Sequence, residues 1–257
     1  MLPPVIRTTR ILAYHGVDPL HVDGLTVSAA DFRRQMEYLA RAGRRLVSLR
    51  EFCAAARAEG RWSPKLMALT FDDGYRDCWT HVRPVLKELG FTATVFVITD
   101  SLIDGAPRPL HCPAHKEFLT AKELISLRSA GWEIASHTCN HARLPTLSAG
   151  EQERQLAESK RVLESLLGES VGSFCYPAGK FTADTLSRVR AAGYELAPIT
   201  PWARGLVRRE NWLTLERVGL YRGDGTTNFR LKVSPLFHWL RRARFALTAP
   251  APLHDPA

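Results

Sequence analysis

Polar caps, amphipathic stretches, glycines and short apolar runs repeat along the chain in a fixed order. Ser28-x-x-Asp31, Thr120-x-x-Glu123 and Ser148-x-x-Glu151 have the form of N-terminal capping boxes or close relatives, and each predicts a helix opening at that point. Gly43, Gly90, Gly131 and Gly193 fall where these helices and two others should stop. Each precedes an apolar run, at Leu46-Val47 and at residues 92–98, 132–135 and 194–197. Leu66-Met67-Ala68-Leu69-Thr70-Phe71, followed by Gly74, reads as a buried strand with a turn behind it, and Ile134-Ala135-Ser136 reads as another. Alternating strands and helices predict an α/β fold with a parallel sheet.

Two segments break this rhythm. Residues 103–118 hold Pro107, Pro109 and Pro113 with His111, Cys112 and His115, which predicts a long surface loop lining a substrate groove. The alternative for His111, Cys112 and His115 is a second metal site. Residues 228–247 mix Phe229, Leu231, Val233, Leu236, Phe237, Trp239, Leu240 and Phe245 with Arg230, Lys232, Arg241, Arg242 and Arg244, and Pro235 suits the first turn of a helix. A closing helix packed on the core is the favoured reading. A basic interfacial helix in peripheral contact with an anionic membrane is the other.

At 257 residues and 45% hydrophobic, the chain can bury one barrel-sized core or two small ones. The absence of an internal linker favours one domain over residues 1–247, with a disordered Pro- and Ala-rich tail at 248–257. No run of about eighteen apolar residues exists, and the first ten residues lack the apolar region of a secretory signal. A cytoplasmic protein is therefore expected, with membrane association through the basic segment as the variant. Five scattered cysteines, Cys53, Cys78, Cys112, Cys139 and Cys175, argue against a disulfide framework. The net charge of +9 raises nucleic acid, anionic lipid or an acidic glycan as partners. Its arginines are spread over presumed helix faces, in pairs such as Arg33-Arg34 and Arg208-Arg209, and no nucleic-acid motif accompanies them, so no nucleic-acid partner is expected.

The chemistry concentrates in two distant fragments. Thr70-Phe71-Asp72-Asp73-Gly74-Tyr75 and Ser136-His137-Thr138-Cys139-Asn140-His141 both follow strand-like runs, and α/β folds place their sites at the carboxyl ends of strands. His137 and His141 lie four apart, so a turn or helix would present both rings on one face. Cys139 does not share that face. A carboxylate, two imidazoles and a spare carboxylate are what a catalytic zinc with an open position and a base beside it requires. The residues thus point to a metal-assisted hydrolase.

These fragments resemble the first two motifs of the polysaccharide deacetylases, which include chitin, peptidoglycan and exopolysaccharide N-deacetylases. Phe174-Cys175-Tyr176-Pro177-Ala178-Gly179 resembles a variant of the third motif, and Ile11-Leu12-Ala13-Tyr14-His15-Gly16-Val17 is similar to the first strand of the exopolysaccharide-biosynthesis branch. The resemblance spans roughly residues 10–220 and implies a distorted (β/α) barrel with fewer than eight strands. It implies that Asp73, His137 and His141 hold Zn2+ or another divalent transition metal, and that Asp72 is the general base. It further implies an oxyanion-binding N–H near Tyr176 and a substrate wall including Tyr75, Tyr176, Pro177 and Gly179. Two departures stand out. The third motif usually carries an arginine that orients the base; here it has none, and Lys180 or Arg217 could substitute. No Leu-x-His string supplies the usual acid; His15, at the end of the first strand, is a better candidate than His254 in the tail, although a core histidine is the alternative. The expected activity is N-deacetylation of an amino-sugar-containing glycan, an exopolysaccharide or a lipid-linked precursor. A catalytically weak glycan-binding protein and a metal-dependent phosphoesterase are the rival readings, and oligomeric state is left open.

Overall fold

The computed structural model describes residues 10–20, 23–109, 111–200, 211–234 and 237. Strands run β1 (Ile11–Tyr14), β2 (Gly16–Val17), β3 (Thr26–Val27), β4 (Arg45–Val47), β5 (Leu66–Phe71), β6 (Thr94–Val97), β7 (Glu133–Ser136), β8 (Pro198–Ile199), β9 (Leu215–Glu216) and β10 (Val218–Gly219). The principal helices are α1 (Ala29–Arg41), α2 (Leu49–Glu59), α3 (Arg83–Leu89), α4 (Ala121–Ser129), α5 (Ala149–Leu167), α6 (Ala183–Ala191) and α7 (Thr226–Lys232).

Helix starts follow the polar signals. The Ser28 and Ser148 hydroxyls accept from the backbone N–H groups of Asp31 and Glu151, and Thr120 and Glu123 form a reciprocal capping box. α1 buries Phe32, Met36 and Leu39, spaced four and three apart, against the sheet. Burying each such side chain is worth about 1.5–3 kcal/mol. Phe32 meets Tyr14 edge-on with ring centroids 5.4 Å apart, and Tyr14 stacks on Phe71 at 5.5 Å, so β1 and β5 share one aromatic seam under α1.

Among the described residues, every pairing between the named strands is parallel. The main sheet has the order β10-β1-β5-β6-β7, with β4 beside the first half of β5. The ring continues through single bridges, Ser136 to Phe174 and Ser173 to Leu196, and then through β8 paired with β9. Because β9 runs on into β10, which pairs with β1, the sheet closes. The positions around it are β1, β5, β6, β7, residues 173–174, residues 196–199 and residues 215–219, a distorted barrel of seven staves. The apolar run at 194–197 contributes a bridge and not a regular strand. α7 ends at Lys232, ahead of the helix start expected at Pro235. Phe237 packs against the core, but Pro235 and residues 238–257, with Trp239, the Arg241-Arg242 pair, His254 and the expected tail, lie outside the described residues, as does the Arg208-Arg209 pair. No helix among the described residues is long and apolar enough to cross a membrane.

Alternation along the staves decides what enters the barrel. Leu12, Tyr14, Leu69, Phe71, Val95, Val97 and Ile134 face the helices, whereas Ile11, Ala68, Phe96, Ala135, Cys175, Leu196 and Leu215 form a separate inner cluster. Buried Glu133 ties the lower barrel together, accepting hydrogen bonds from Thr94 Oγ1 and Ser173 Oγ at 2.6 Å each. The same alternation, continued past Tyr14, Phe71 and Ser136, turns His15, Asp72 and His137 inward at the carboxyl-end mouth.

Candidate active site

Register brings the mouth residues into one layer. Asp72 N–H donates to the Tyr14 carbonyl, His137 N–H to Val97, and Cys175 N–H to Ser136, which places His15 beside Asp72 and Cys175 beside His137. Beyond the strand ends the chain bends through unusual backbone. Asp73, Thr138, His141 and Ala178 all have positive φ, at 70°, 66°, 64° and 52°. Non-glycine residues in this region cost about 1–3 kcal/mol each and cluster where geometry serves a site. The two histidines therefore converge by a tight turn and not along a helix face, with the His141 N–H donating to Thr138 Oγ1 at 3.0 Å. Cys139, within that turn, is directed away from them to the Gln155 carbonyl at 3.6 Å.

Asp73 Oδ1 lies 3.5 Å from His137 Nε2 and 3.4 Å from His141 Nε2. It is buried, and at 3.4–3.5 Å neither imidazole gives it a well-formed hydrogen bond, an arrangement that costs free energy unless something else satisfies it. Ligand atoms held at about 2.0–2.1 Å by a tetrahedral zinc stand roughly 3.3–3.4 Å apart, so the observed separations fit one shared ion. Second contacts orient the ligands: His137 Nδ1 is 2.7 Å from the Cys175 carbonyl, which makes that nitrogen the donor and leaves Nε2 to face Asp73. Burial and neighbouring His137 lower the His141 pKa to about 4, against the pull of Asp73, so His141 is a neutral imidazole at pH 7. Burial opposes the Asp73 charge, but the close approach of His137 and the neighbouring His15 and His141 hold its pKa below the usual carboxylate range.

Asp72 is held differently. Arg217, between β9 and β10, is fully buried inside the barrel, with Nη1 2.6 Å from Asp72 Oδ1 and Nη2 2.7 Å from Oδ2. Nη1 also donates to Thr70 Oγ1 at 3.1 Å. Burial would raise the Asp72 pKa; Arg217 overrides it and keeps the carboxyl ionised. Asp72, His137 and Cys175 form a second close-set group of potential ligands, but a cation already fills it, since Arg217 Nη2 also lies 3.2 Å from Cys175 Sγ. Lys180, the other candidate partner for the base, is exposed and lines a neighbouring cleft instead. His15 Nε2 is 3.8 Å from Asp72 Oδ2, and its Nδ1 is buried without a partner.

A pocket of about 230 Å3 opens over these groups, its wall including Tyr75, Cys112, Tyr176, Ala178 and Thr200. Tyr75 lies beside Asp73 and Cys112, and burial and the carboxylate push its phenol up. Pro177 and Gly179, expected on the substrate wall, are buried behind it, and Ala178 alone of the three reaches the surface. The reason is local: a Cβ on Gly179 would lie 2.0 Å from Thr200 Oγ1, so the chain turns there to pack and not to face a ligand. Loop 103–118 brings His111, Cys112 and Pro113 to the pocket, but His111, Cys112 and His115 do not converge as a metal site; His115 instead lies 4.0 Å from Asp23. The loop is pinned by Lys116, buried with Nζ 2.6 Å from Asp77 Oδ2 and 3.7 Å from Asp18 Oδ2. Thr200 and the Lys116–Asp77 pair have no local sequence signature. Each exists only because distant loops meet.

Comparison with known proteins bears on the family. The polysaccharide deacetylase family model matches residues 59–197, just over half of the chain. YxkH of Bacillus subtilis (strain 168), named as a polysaccharide deacetylase, is 28% identical over 219 residues, covering 85% of this chain and 74% of that protein. The poly-β-1,6-N-acetyl-D-glucosamine N-deacetylase of Staphylococcus aureus (strain N315) is 24% identical over 181 residues, 67% of this chain but 60% of the relative's length. The deacetylase PplD of Streptococcus pyogenes, solved in complex with acetate, superimposes with a TM-score of 0.74 at 23% identity, covering 88% of this chain and 97% of that one. This chain belongs to the polysaccharide deacetylase family.

Proposed function

We propose that this chain is a metal-dependent hydrolase that removes N-acetyl groups from an amino-sugar-containing glycan, an exopolysaccharide or a lipid-linked precursor. The observation that carries the reading is the division of labour between adjacent carboxylates. Asp73 shares an unsatisfied oxygen with two imidazoles, and Asp72 is tied by both oxygens to Arg217.

Asp73, His137 and His141 would hold a zinc or similar ion, which when bound supplies Lewis acidity toward an acetamide carbonyl and its attacking water. The tetrahedral spacing supports zinc over an octahedral magnesium, whose neighbouring ligands stand about 2.9 Å apart, and so favours amide hydrolysis over the phosphoesterase alternative. Asp72, kept off the ion by Arg217, accepts the proton of the attacking water. Water adds at the carbonyl carbon, the carbon–nitrogen bond breaks, and the leaving nitrogen takes a proton from His15, the imidazole nearest Asp72. Acetate and a free amine result. The backbone N–H near Tyr176 assists the developing oxyanion, and Tyr75 and Tyr176 flank the sugar. The Staphylococcus aureus relative carries the name of an enzyme for a β-1,6-linked N-acetylglucosamine polymer, which makes such oligomers the first substrates to try.

The test is acetate release from a panel of N-acetylated oligosaccharides by zinc-loaded protein, chelator-treated protein, and treated protein given zinc again. Activity that disappears and returns with the metal supports the reading. Failure of zinc-loaded protein on every glycan, or activity indifferent to chelation, overturns it.

A further inference from the structure

Next to the catalytic pocket lies a second cleft of similar size, about 260 Å3, lined by Arg143, Pro145, Thr146, Lys180 and Phe181. Both of its cations sit on catalytic turns. Arg143 follows the pocket-lining His141 by two residues, and Lys180 follows Ala178 by two, so no more than about 7 Å of extended chain separates either from the pocket wall.

The charges of this cleft are unspent. Neither Arg143 nor Lys180 has an ion pair or a side-chain hydrogen bond to any described residue. By contrast, Arg154 and Arg188, on the helices that follow these two turns, are held by Glu151 with Glu158 and by Asp184 with Glu153. The turns carrying the free cations are braced: Thr146 N–H and Oγ1 both donate to the Arg143 carbonyl, at 2.9 and 2.8 Å, and Lys180 N–H donates to Pro177 at 3.1 Å. Between them Phe181, 7% exposed, and Pro145 provide an apolar floor of the kind a sugar face rests on. Two exposed positive charges, carried on braced turns over an apolar floor, form a receptor for a saccharide bearing an anion.

We propose that this cleft is an accessory subsite for a negatively charged group, a carboxylate or a phosphate, carried on the residue neighbouring the N-acetylated sugar. The substrate class is then an acidic glycan, which also gives the +9 net charge a specific use. The inference rests on the deacetylase reading for its position in catalysis, but not for the existence of the site.

The experiment compares acetate release from three oligosaccharides of matched length: neutral N-acetylglucosamine oligomers, oligomers alternating N-acetylglucosamine with glucuronic acid, and N-acetylglucosamine oligomers carrying a terminal diphosphate. In parallel, calorimetry measures binding of each to the intact protein. The expected result is a preference in kcat/KM for one acidic series of roughly tenfold, equivalent to about 1.4 kcal/mol, carried in KM and shrinking between low and high salt. Which acidic series wins identifies the source of the charge. Arg143→Ala/Lys180→Ala should lose the preference, and Arg143→Lys/Lys180→Arg should keep it. Charge-selective binding that depends on these residues, with no acetate released from any glycan, would sustain the subsite and sink the deacetylase reading. Brisk release from neutral oligomers with no acidic preference, or a preference that survives in the double alanine variant, overturns the subsite and leaves the deacetylase reading intact.

Discussion

Arg217 and Asp72, 145 residues apart in sequence, meet in the barrel as a bidentate ion pair with contacts of 2.6 and 2.7 Å, sealed from solvent. The pair takes the part left open by the third-motif string Phe174-Cys175-Tyr176-Pro177, which lacks the arginine that the family's motif usually carries. A guanidinium reaching the base from another stave restores the fork-to-fork geometry that such a pair needs. Arg217 does not touch the pocket. In the proposed reaction it would be a positioning residue, acting through Asp72.

Replacing this arginine separates charge from geometry. Arg217→Lys keeps a cation but cannot grip both oxygens, so acetate release should fall about 10–100-fold while bound zinc is retained. Arg217→Ala strands a buried carboxylate and should lose roughly 3–5 kcal/mol of stability. Denaturant unfolding with metal analysis on both variants checks this. Full activity in Arg217→Lys would mean that the bidentate grip is irrelevant to the base.

The adjacent aspartates should separate just as cleanly. Asp72→Asn cannot accept a proton and should cut turnover about 10²–10⁴-fold with zinc still present. Asp73→Asn, His137→Ala and His141→Ala should each lose metal while the barrel still forms, because these ligands sit at its mouth and not among its packed staves. Equal metal loss in the two aspartate variants would show the assigned roles to be wrong.

The convergence of both fragments on one mouth is legible because local patterns mark them: an apolar run, a polar break, and donor atoms at the break. Asp72 and Asp73 after Phe71, and His137 after Ser136, needed only the alternation of a strand. Arg217 was recoverable as one of two alternatives, since nothing local distinguishes it from Lys180; only closure of the barrel brings it to Asp72. The substrate wall was read less well. Whether Pro177, Ala178 or Gly179 faces the pocket depends on one left-handed turn at Ala178 and on the packing of Gly179 against Thr200, neither of which has a periodicity to read. Lys116 illustrates the same limit, being a lysine buried through partners 39 and 98 positions away.

That lysine supplies a test of the loop. Lys116 joins the segment holding His111 and Cys112 to Asp77 and Asp18, and Gly16 leaves room for it: a Cβ there would lie 2.9 Å from Lys116 Nζ and 2.6 Å from Thr26 Oγ1. Lys116→Met leaves two carboxylates facing each other without their cation and should lose up to roughly 3–5 kcal/mol. In variant still folded at the assay temperature, KM should rise with little change in kcat, since the loop lines the pocket but carries none of the reacting groups. A fall in kcat at unchanged KM would place the loop in the chemical step instead.

Metal affinity should depend on pH through one histidine and not the other. Burial disfavours a charged His137, but in the metal-free protein its neighbours Cys175, Asp73 and Asp72 raise its pKa well above the usual value. His141 is lowered to about 4. A metal requires the neutral imidazole, so binding displaces a proton from His137 wherever its raised pKa keeps it charged, but none from His141 between pH 6 and 8. Affinity for zinc should therefore rise with pH over that range, with a slope approaching about tenfold per unit, the limit for one proton released. The stability of the metal-free protein should move in the opposite direction. A raised folded-state pKa contributes stability that is complete below the unfolded value of about 6.5 and is lost as pH rises through the folded one. Competition against a chromophoric chelator at pH 6, 7 and 8, with unfolding of the metal-free protein at the same three values, measures both. A slope of two protons would show that His141 is also charged before binding, and a flat profile would show that the Asp73–His137 pair holds no proton for the metal to displace.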